Sequence, residues 1–367
     1  MKVLLTGARG FIGRNLTVHL READHTVLEF TRDHNVGDLG ALVAEADFVF
    51  HLAGVNRPDN DAEFKRGNTD LTGDLVKAIE DSGKTLPIVI SSSTHAERDT
   101  PYGTSKREAE EIVRGYGKRT GAPVHIYRLP GVFGKWSRPN YNSFVSTFCQ
   151  NIARDQPIRV DNPVAPVALV YIDDVCAEFM AVLNGDRDGS TPSVSPVYQT
   201  TVGDVADTLR GFRKSRTSLV TDSVGEGLTR ALYSTYLSYL PPDDFAYNIP
   251  TYSDPRGEFG EVLKTRDSGQ FSYFTAHPGV TRGQHYHHSK NEKFLVLQGQ
   301  ARFLFKHIVT GEEHEIVTDG ETKTIVETVP GWTHDITNVG DDLLICMLWA
   351  NEIFDRDKPD TVAMPTR

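Results

Sequence analysis

Two groups of residues in this 367-residue chain have the types and spacing to do chemistry. The first is Tyr102 and Lys106 in "PYGTSK", four apart and therefore on one face of a helix. A tyrosine phenol titrates near pH 10. A neighbouring ammonium, together with a nicotinamide charge, is expected to lower that value, so that the phenol can exchange a proton with a carbonyl oxygen. Upstream, "ISSST" ends a strand with hydroxyls that could bond the same oxygen. The second group lies in "HYHHSKNE". His285 and His287 are two apart and share one face of a strand, while Glu292 opens the next strand after a turn. Further on, "PGWTHDITN" adds His334. Three imidazoles and a carboxylate can hold a divalent Zn, Fe, Ni or Mn ion, and zinc is the first expectation. His288 is out of phase with its neighbours and is expected at the surface or rim.

The elements that must position these groups can be read from periodicity. "KVLLTG", "TVLEFT", "DFVFHLAG", "LPIVISSS" and "VHIYRLPG" read as buried strands, alternating with helical stretches such as "FIGRNLTVHLREA" and "SKREAEEIVRGYGKRTG". That alternation predicts a doubly wound parallel α/β sheet of Rossmann type. Helices are expected at "VGDVADTLRGFRKS" and around 222–239, before the break at "YLPPDD". Beyond about residue 250 the texture becomes short alternating strands, "EFGEVLKT", "GQFSYFTA", "EKFLVLQG", "QARFLFKHI", "KTIVETVP" and "LLICMLWA". These predict an all-β barrel or sandwich. The expected boundary falls between residues 1–245, a nucleotide-binding domain, and 246–367, a β domain.

In "TGARGFIG", Gly7, Gly10 and Gly13 sit after the first strand and at the start of a helix. Glycines there let the backbone approach a pyrophosphate, and the helix N-terminus supplies unpaired N–H donors. The loop also contains Arg9, Phe11 and Ile12. Enzymes that prefer NAD usually carry an acidic residue just past the second strand. Here Thr31 and Arg32 occupy that region, and a guanidinium suits a 2′-phosphate. The cofactor expected is therefore NADPH, with Glu29 the residue that speaks for NADH.

The bulk numbers exclude some classes. The formal net charge of −11 argues against a nucleic-acid or anionic-membrane partner. Cys149, Cys176 and Cys346 are odd in number and far apart, which implies no disulfide framework. No segment approaches the roughly 20 apolar residues that span a bilayer, and the first residues read as a strand rather than a signal peptide. A cytoplasmic location is expected.

The glycine loop, "HLAG" with Leu52, Ala53 and Gly54, Asn68 in "GNTD", Tyr102 with Lys106, and the later "RLPGVFG" and "YIDDV" together resemble the extended short-chain dehydrogenase/reductase family over about residues 1–240. That resemblance implies cofactor contacts from all of these positions. It makes Ser93 the favoured third catalytic residue, with Ser92 and Thr94 as alternatives. Gly279, His285, His287, Glu292 and Gly299 fit the spacing of a cupin motif, and Pro330, Gly331, His334 and Asn338 resemble the second one. The order of the two halves resembles the bifunctional capsule-synthesis enzymes on the route to UDP-N-acetyl-L-fucosamine. By that resemblance the cupin domain epimerises carbon 3 of a UDP-linked 2-acetamido-2,6-dideoxy-4-keto sugar. The reductase domain then reduces the 4-ketone with NADPH to the L-talose product, and a homodimer is expected. Two rivals stand beside this reading. One is a cofactor or sugar sensor without chemistry. The other is a 4-epimerase or dehydratase fused to a metal-dependent isomerase, for which "SSSTHAERD" offers only Glu97 and Asp99.

Overall fold

The structure, a computed structural model, describes residues 1–187, 192–249, 251–254, 257–260, 263–265, 269–352 and 357–366. Packing divides the chain into two compact units, Met1–Ser143 with Val167–Gln199, and Phe144–Pro166 with Thr200–Arg367. Residues 200–245, expected on functional grounds with the nucleotide-binding domain, pack in the unit that carries the later strands. Packing and function need not divide a chain at the same place.

In the first unit, β1 (Lys2–Thr6), β2 (Thr26–Phe30), β3 (Phe48–His51), β4 (Ile88–Ser93) and β5 (Val124–Leu129) form a parallel sheet in the order β2-β1-β3-β4-β5. The chain doubles back between β1 and β3, which opens a crevice at the carboxyl ends of the strands where such folds bind ligands. Helices α1 (Phe11–Glu22), α2 (Leu39–Glu45), α3 (Leu71–Asp81) and α4 (Pro101–Thr120) connect the strands. With helices over both faces the strands need apolar side chains throughout, and Val3, Leu4, Leu5, Val49, Phe50, Ile88 and Val89 are all buried. The sequence sets the limits of α4. Thr100 caps it by accepting from Gly103 N at 3.1 Å, Pro101 opens it, and Gly121 at φ 74° ends it. Beyond the sheet, β6 (Gly131–Phe133) pairs in parallel with β7 (Pro166–Tyr171).

The second unit contains two five-stranded antiparallel sheets. The strands of these two sheets are β8 (Ala246–Asn248), β9 (Gln270–Ala276), β10 (Thr281–Tyr286), β11 (Glu292–Gln298), β12 (Gln300–His307), β13 (Glu313–Asp319), β14 (Thr324–Glu327), β15 (Trp332–Asn338), β16 (Leu344–Ala350) and β17 (Val362–Ala363). One sheet runs β8-β14-β11-β16-β9, the other β13-β12-β15-β10-β17. The two halves thus have the expected fold class, a Rossmann-like parallel sheet followed by a cupin-like β domain. Of the expected strand "EFGEVLKT", Gly257–Gly260 and Lys264–Thr265 are extended, and 261–262 lie outside the described residues. The helices expected near 202–215 and 222–239 are α5 (Val202–Ser218) and α6 (Gly227–Leu237). Among the described residues no helix is long and apolar enough to cross a membrane.

Candidate functional site

The glycine loop is closed against the next strand's exit. Gly7 adopts φ 73°, and a Cβ there would stand 2.7 Å from Ala53 N. A Cβ on Gly13 would stand 2.2 Å from Gly7 O. Only glycine fits either place. Gly10 precedes α1 with no side-chain cap, and no acidic residue occupies the first turn of that helix. Phe11, Ile12 and Gly13 therefore open a helix whose first N–H groups face an anion-binding position. Leu52 and Ala53 form the other wall.

Past β2, Arg32 is exposed, and Arg9 makes an ion pair with Asp33. Glu29 is drawn away to Arg21 at 2.9 Å. The acidic residue that would favour a ribose hydroxyl is thus already paired, while two arginines flank the strand exit.

Helix α4 brings Tyr102 and Lys106 to the carboxyl end of β4. Lys106 is 8% exposed and donates to Ser91 O at 3.1 Å. Burial pulls its ammonium down to about 8, against the raising influence of Glu110. Of the three candidates, Ser93 is the one whose hydroxyl draws the Tyr102 phenol down. Ser92 donates to Glu110 at 2.5 Å, and Thr94 is exposed. Burial raises the Tyr102 phenol above its ordinary value, and the Ser93 hydrogen bond only partly offsets that. Without the nicotinamide charge, which the expected lowering also invokes, desolvation of the phenolate sets the direction.

Asn68 joins the group. Its Oδ1 accepts from Val55 N at 2.8 Å, and its Nδ2 donates to Ser105 Oγ at 2.9 Å. A Cβ on Gly54 would stand 2.8 Å from Asn68 Oδ1 and 3.1 Å from Lys106 Nζ. Beneath them His51 links Thr6 Oγ1 (2.7 Å) and Thr72 Oγ1 (2.9 Å). Burial, then the Lys106 charge, holds His51 down at about 3, so it is neutral. Thr72 donates to Asn68 O at 2.6 Å, which leaves its oxygen to accept from His51 Nε2. The tautomer is therefore Nε2–H, and the imidazole ties β1 to the turn that carries Asn68.

In the second unit, His285, His287, Glu292 and His334 converge, one donor atom of each lying within 4.8 Å of the others. His285 lies opposite His334 across the β10–β15 pair, and their ring centroids are 4.7 Å apart. The strand β10 ends at Tyr286, so His287 follows it rather than lying on it. A bulge with Gly283 at φ 95° and Gln284 at φ 62° re-aims the end of the strand. The His285 and His287 centroids still lie 4.9 Å apart. Glu292 opens β11 as expected, and His288 is half-buried.

Two residues outside the expected set shape this cluster. Asp360 accepts backbone bonds from His288, Ser289 and Lys290 at 2.7–2.8 Å, and its own carbonyl pairs with His287 Nδ1. Its carboxyl is held down at about 2, the backbone donors overcoming burial. Thr328 Oγ1 accepts from Glu292 N at 2.8 Å. Because the carbonyl can only accept, His287 Nδ1 is the donor to it. His287 Nε2 lies 3.3 Å from Glu292 Oε2, and His334 Nε2 lies 3.6 Å from the same oxygen. Burial pushes His285 down to about 4, with help from His334 and His287. Burial would raise the Glu292 carboxyl, but its contacts with His287 and His334 hold it well below the usual range. Three imidazoles and one carboxylate converging in this way make a donor set that fits a divalent ion.

Comparisons with known proteins match the two halves of the chain to two different families. The profile of the NAD dependent epimerase/dehydratase family matches residues 3–195, and that of the polysaccharide biosynthesis C-terminal domain matches 252–362. The chain is 60% identical to the UDP-2-acetamido-2,6-beta-L-arabino-hexul-4-ose reductase of Pseudomonas aeruginosa, over 99% of this chain and 98% of that one. Among solved structures it resembles the capsular polysaccharide assembling protein CapF from Staphylococcus aureus, with 38% identity, TM-score 0.68 and full coverage of both chains. A UDP-glucuronic acid 4-epimerase from Bacillus cereus, 21% identical with TM-score 0.52 over 57% of this chain and 83% of that one, shares the fold of the first half.

Proposed function

We propose, from the premise that this chain belongs to the NAD dependent epimerase/dehydratase family and carries its capsule-type C-terminal domain, that it is a nucleotide-sugar 4-ketoreductase which also epimerises carbon 3 of its substrate. The substrate class is a UDP-linked 2-acetamido-2,6-dideoxy-4-keto-hexose, and the product is the corresponding L-talose. The functional domains are 1–245 and 246–367. The reading extends to a cytoplasmic location, which the separated cysteines suit, and to a homodimer, since both fold types often self-associate.

The observation that carries the reductive half is the half-buried Tyr102 beside Ser93, its phenol held above the ordinary value by burial. A ketone that accepts hydride needs a proton at its oxygen. A phenol that keeps its proton through the neutral range is the donor such a step requires. Bound NADPH supplies the hydride. Ser93 orients the carbonyl oxygen, Tyr102 gives up the proton, and the Lys106 ammonium steadies the phenolate left behind. Gly7, Arg9, Gly10, Phe11, Ile12, Gly13, Leu52, Ala53, Gly54 and Asn68 form the cofactor cradle, and Arg32 reads the 2′-phosphate.

In the second half a ketone at carbon 4 acidifies the proton on carbon 3, so a base can remove and return it through an enolate. His285, His287, Glu292 and His334 would hold a divalent ion, zinc by first preference, which supplies positive charge to an oxygen that becomes negative. Reduction of the ketone then ends the acidity of carbon 3 and locks the new configuration.

One incubation tests both halves: the UDP-4-keto-6-deoxy amino sugar and NADPH in deuterated water. Deuterium at carbon 3 with stoichiometric NADPH loss is the expected result. Turnover without NADPH consumption would favour the 4-epimerase or dehydratase reading, and absence of any turnover a sensor.

A further inference from the structure

Within the second unit, residues 360–366 run across the strands that carry the candidate metal ligands. Strand β17 pairs with the end of β10, Ala363 opposite His285 and Val362 opposite Tyr286. Met364 N donates to Gln284 O at 2.8 Å, inside the bulge that re-aims β10. Its carbonyl accepts from Thr333 Oγ1 at 2.5 Å, and Thr366 Oγ1 donates to Asp335. The segment thus holds both chain neighbours of His285 and both chain neighbours of His334.

Asp360 reaches the other two ligands. Its carbonyl accepts from His287 Nδ1. Its carboxylate gathers the backbone N–H groups of His288, Ser289 and Lys290, and the Ser289 hydroxyl at 3.0 Å. That fixes the turn between His287 and Glu292. From the same turn the Lys290 ammonium bonds Glu292 Oε1 at 2.9 Å, while Glu292 Oε2 is the oxygen beside the imidazoles. One short segment therefore touches the surroundings of every ligand.

Little else holds it in place. β17 is two residues long and lies at the edge of its sheet, Ala363 and Pro365 are exposed, and Val362 and Met364 are only half-buried. A segment with few buried apolar contacts opens at low cost. Its attachment depends on polar groups whose positions an ion held by the four ligands would fix. Coupling of this kind is reciprocal: the factor by which the docked segment tightens the ion is the factor by which the ion tightens docking.

We infer that residues 360–366 form a strap whose docking is coupled to the ion, with Asp360 the positioning residue for His287 and for the turn that leads to Glu292. This rests on the metal reading of the four ligands and adds a distant segment to what sets the ion's affinity.

The test uses the full chain, stripped with a chelator and titrated with zinc against a competing chromophoric chelator. Backbone hydrogen exchange is followed in a peptide covering the strap, with and without zinc. Zinc should slow exchange in the strap, which a merely structural tail would not show. Asp360→Ala should weaken zinc about 10–100-fold, the scale of a lost partner outside the ligand set. Thr366→Val, remote from Asp360 and acting through docking alone, should weaken it by less. Exchange in β12 and β13 should match wild type in both variants. If wild type binds zinc but its strap exchanges equally fast with and without the ion, or Asp360→Ala binds zinc as tightly, the inference is overturned and the metal reading stands. If wild type binds no zinc, the metal reading falls and the inference with it. If Asp360→Ala also loses protection in β12 and β13, the wild-type exchange and Thr366→Val decide.

Discussion

Replacing Lys106 by methionine makes the burial of its ammonium measurable. The side chain is 8% exposed, and burial lowers it from 10.5 to about 8. In the unfolded chain it titrates near its ordinary value. A depressed ammonium binds fewer protons in the folded state than in the unfolded one between those two pH values, so stability rises with pH across that window. Below about pH 8 both states are charged, and the wild type carries the full cost of the buried charge. Each pH unit above that point returns about 1.4 kcal/mol. Between pH 8 and 9.5 wild type should therefore gain about 2 kcal/mol on Lys106→Met, which has nothing to titrate at this position. Other groups titrate equally in both proteins and cancel in the difference. The lost bond to Ser91 O shifts the whole curve without changing its slope. Because the chain has two packing units, unfolding should be followed in the first one alone, by urea-dependent hydrogen exchange of peptides covering β4 and β5. A stability difference that stays flat from pH 7 to 9.5 would refute the reasoning, for it would mean that Lys106 keeps an ordinary pKa in the fold.

Three further outcomes test the sites. Tyr102→Phe should slow reduction by roughly 10²–10⁴-fold with NADPH binding kept, the usual scale for a lost general acid; near-normal NADPH oxidation would remove Tyr102 from its role. Arg32→Ala should weaken NADPH by about 1.5–3 kcal/mol while NADH affinity barely moves, because only the former loses a charge-assisted bond; direct binding titrations decide, and equal losses would mean that Arg32 does not read the phosphate. Removal of the ion by a chelator, or His334→Gln, should take away about one metal per chain, lower the melting of the second unit first, and suppress hydrogen exchange at carbon 3; folded protein free of metal by elemental analysis that still exchanges at full rate would rule the metal out.

The residues legible in the sequence share one property: their geometry is local. Gly7, Gly10 and Gly13, the Tyr102–Lys106 pair, and the His285, His287 and Glu292 spacing each arise within one element or one turn. His334 was legible because a second motif surrounds it. What escaped depends on contacts across the chain. Asp360 lies about 70 residues beyond the histidines it orients, in a stretch with no motif. Glu110 had a faint signal, four residues after Lys106 on the same helical face, yet only its contacts with Ser92 and Arg128 explain a carboxylate there. The opposing effect of burial on the Tyr102 phenol escaped for a related reason. A neighbouring cation can be read from spacing, but the depth at which a phenol is buried cannot.

The placement of residues 200–245 follows from charge. Neighbouring residues of a strand face opposite sides. On β11, Glu292 turns to the histidines, so Lys293 turns the other way. There it meets Glu327 of β14, its cross-strand partner, and Tyr247 Oη at 3.2 Å. Arg216 of α5 completes the group, 2.8 Å from Glu327 and 4.5 Å from the Tyr247 centroid. All three charged side chains are buried. A buried ion left without its partner costs several kcal/mol, so α5 cannot leave this wall without exposing an imbalance. Thr328, next to Glu327, holds the backbone N–H of Glu292. One strand pair is thus gripped on its outer face by an ion cluster and on its inner face carries the carboxylate of the candidate metal site. The helices after residue 200 brace that wall, which accounts for their packing in the second unit whatever part they take in reduction.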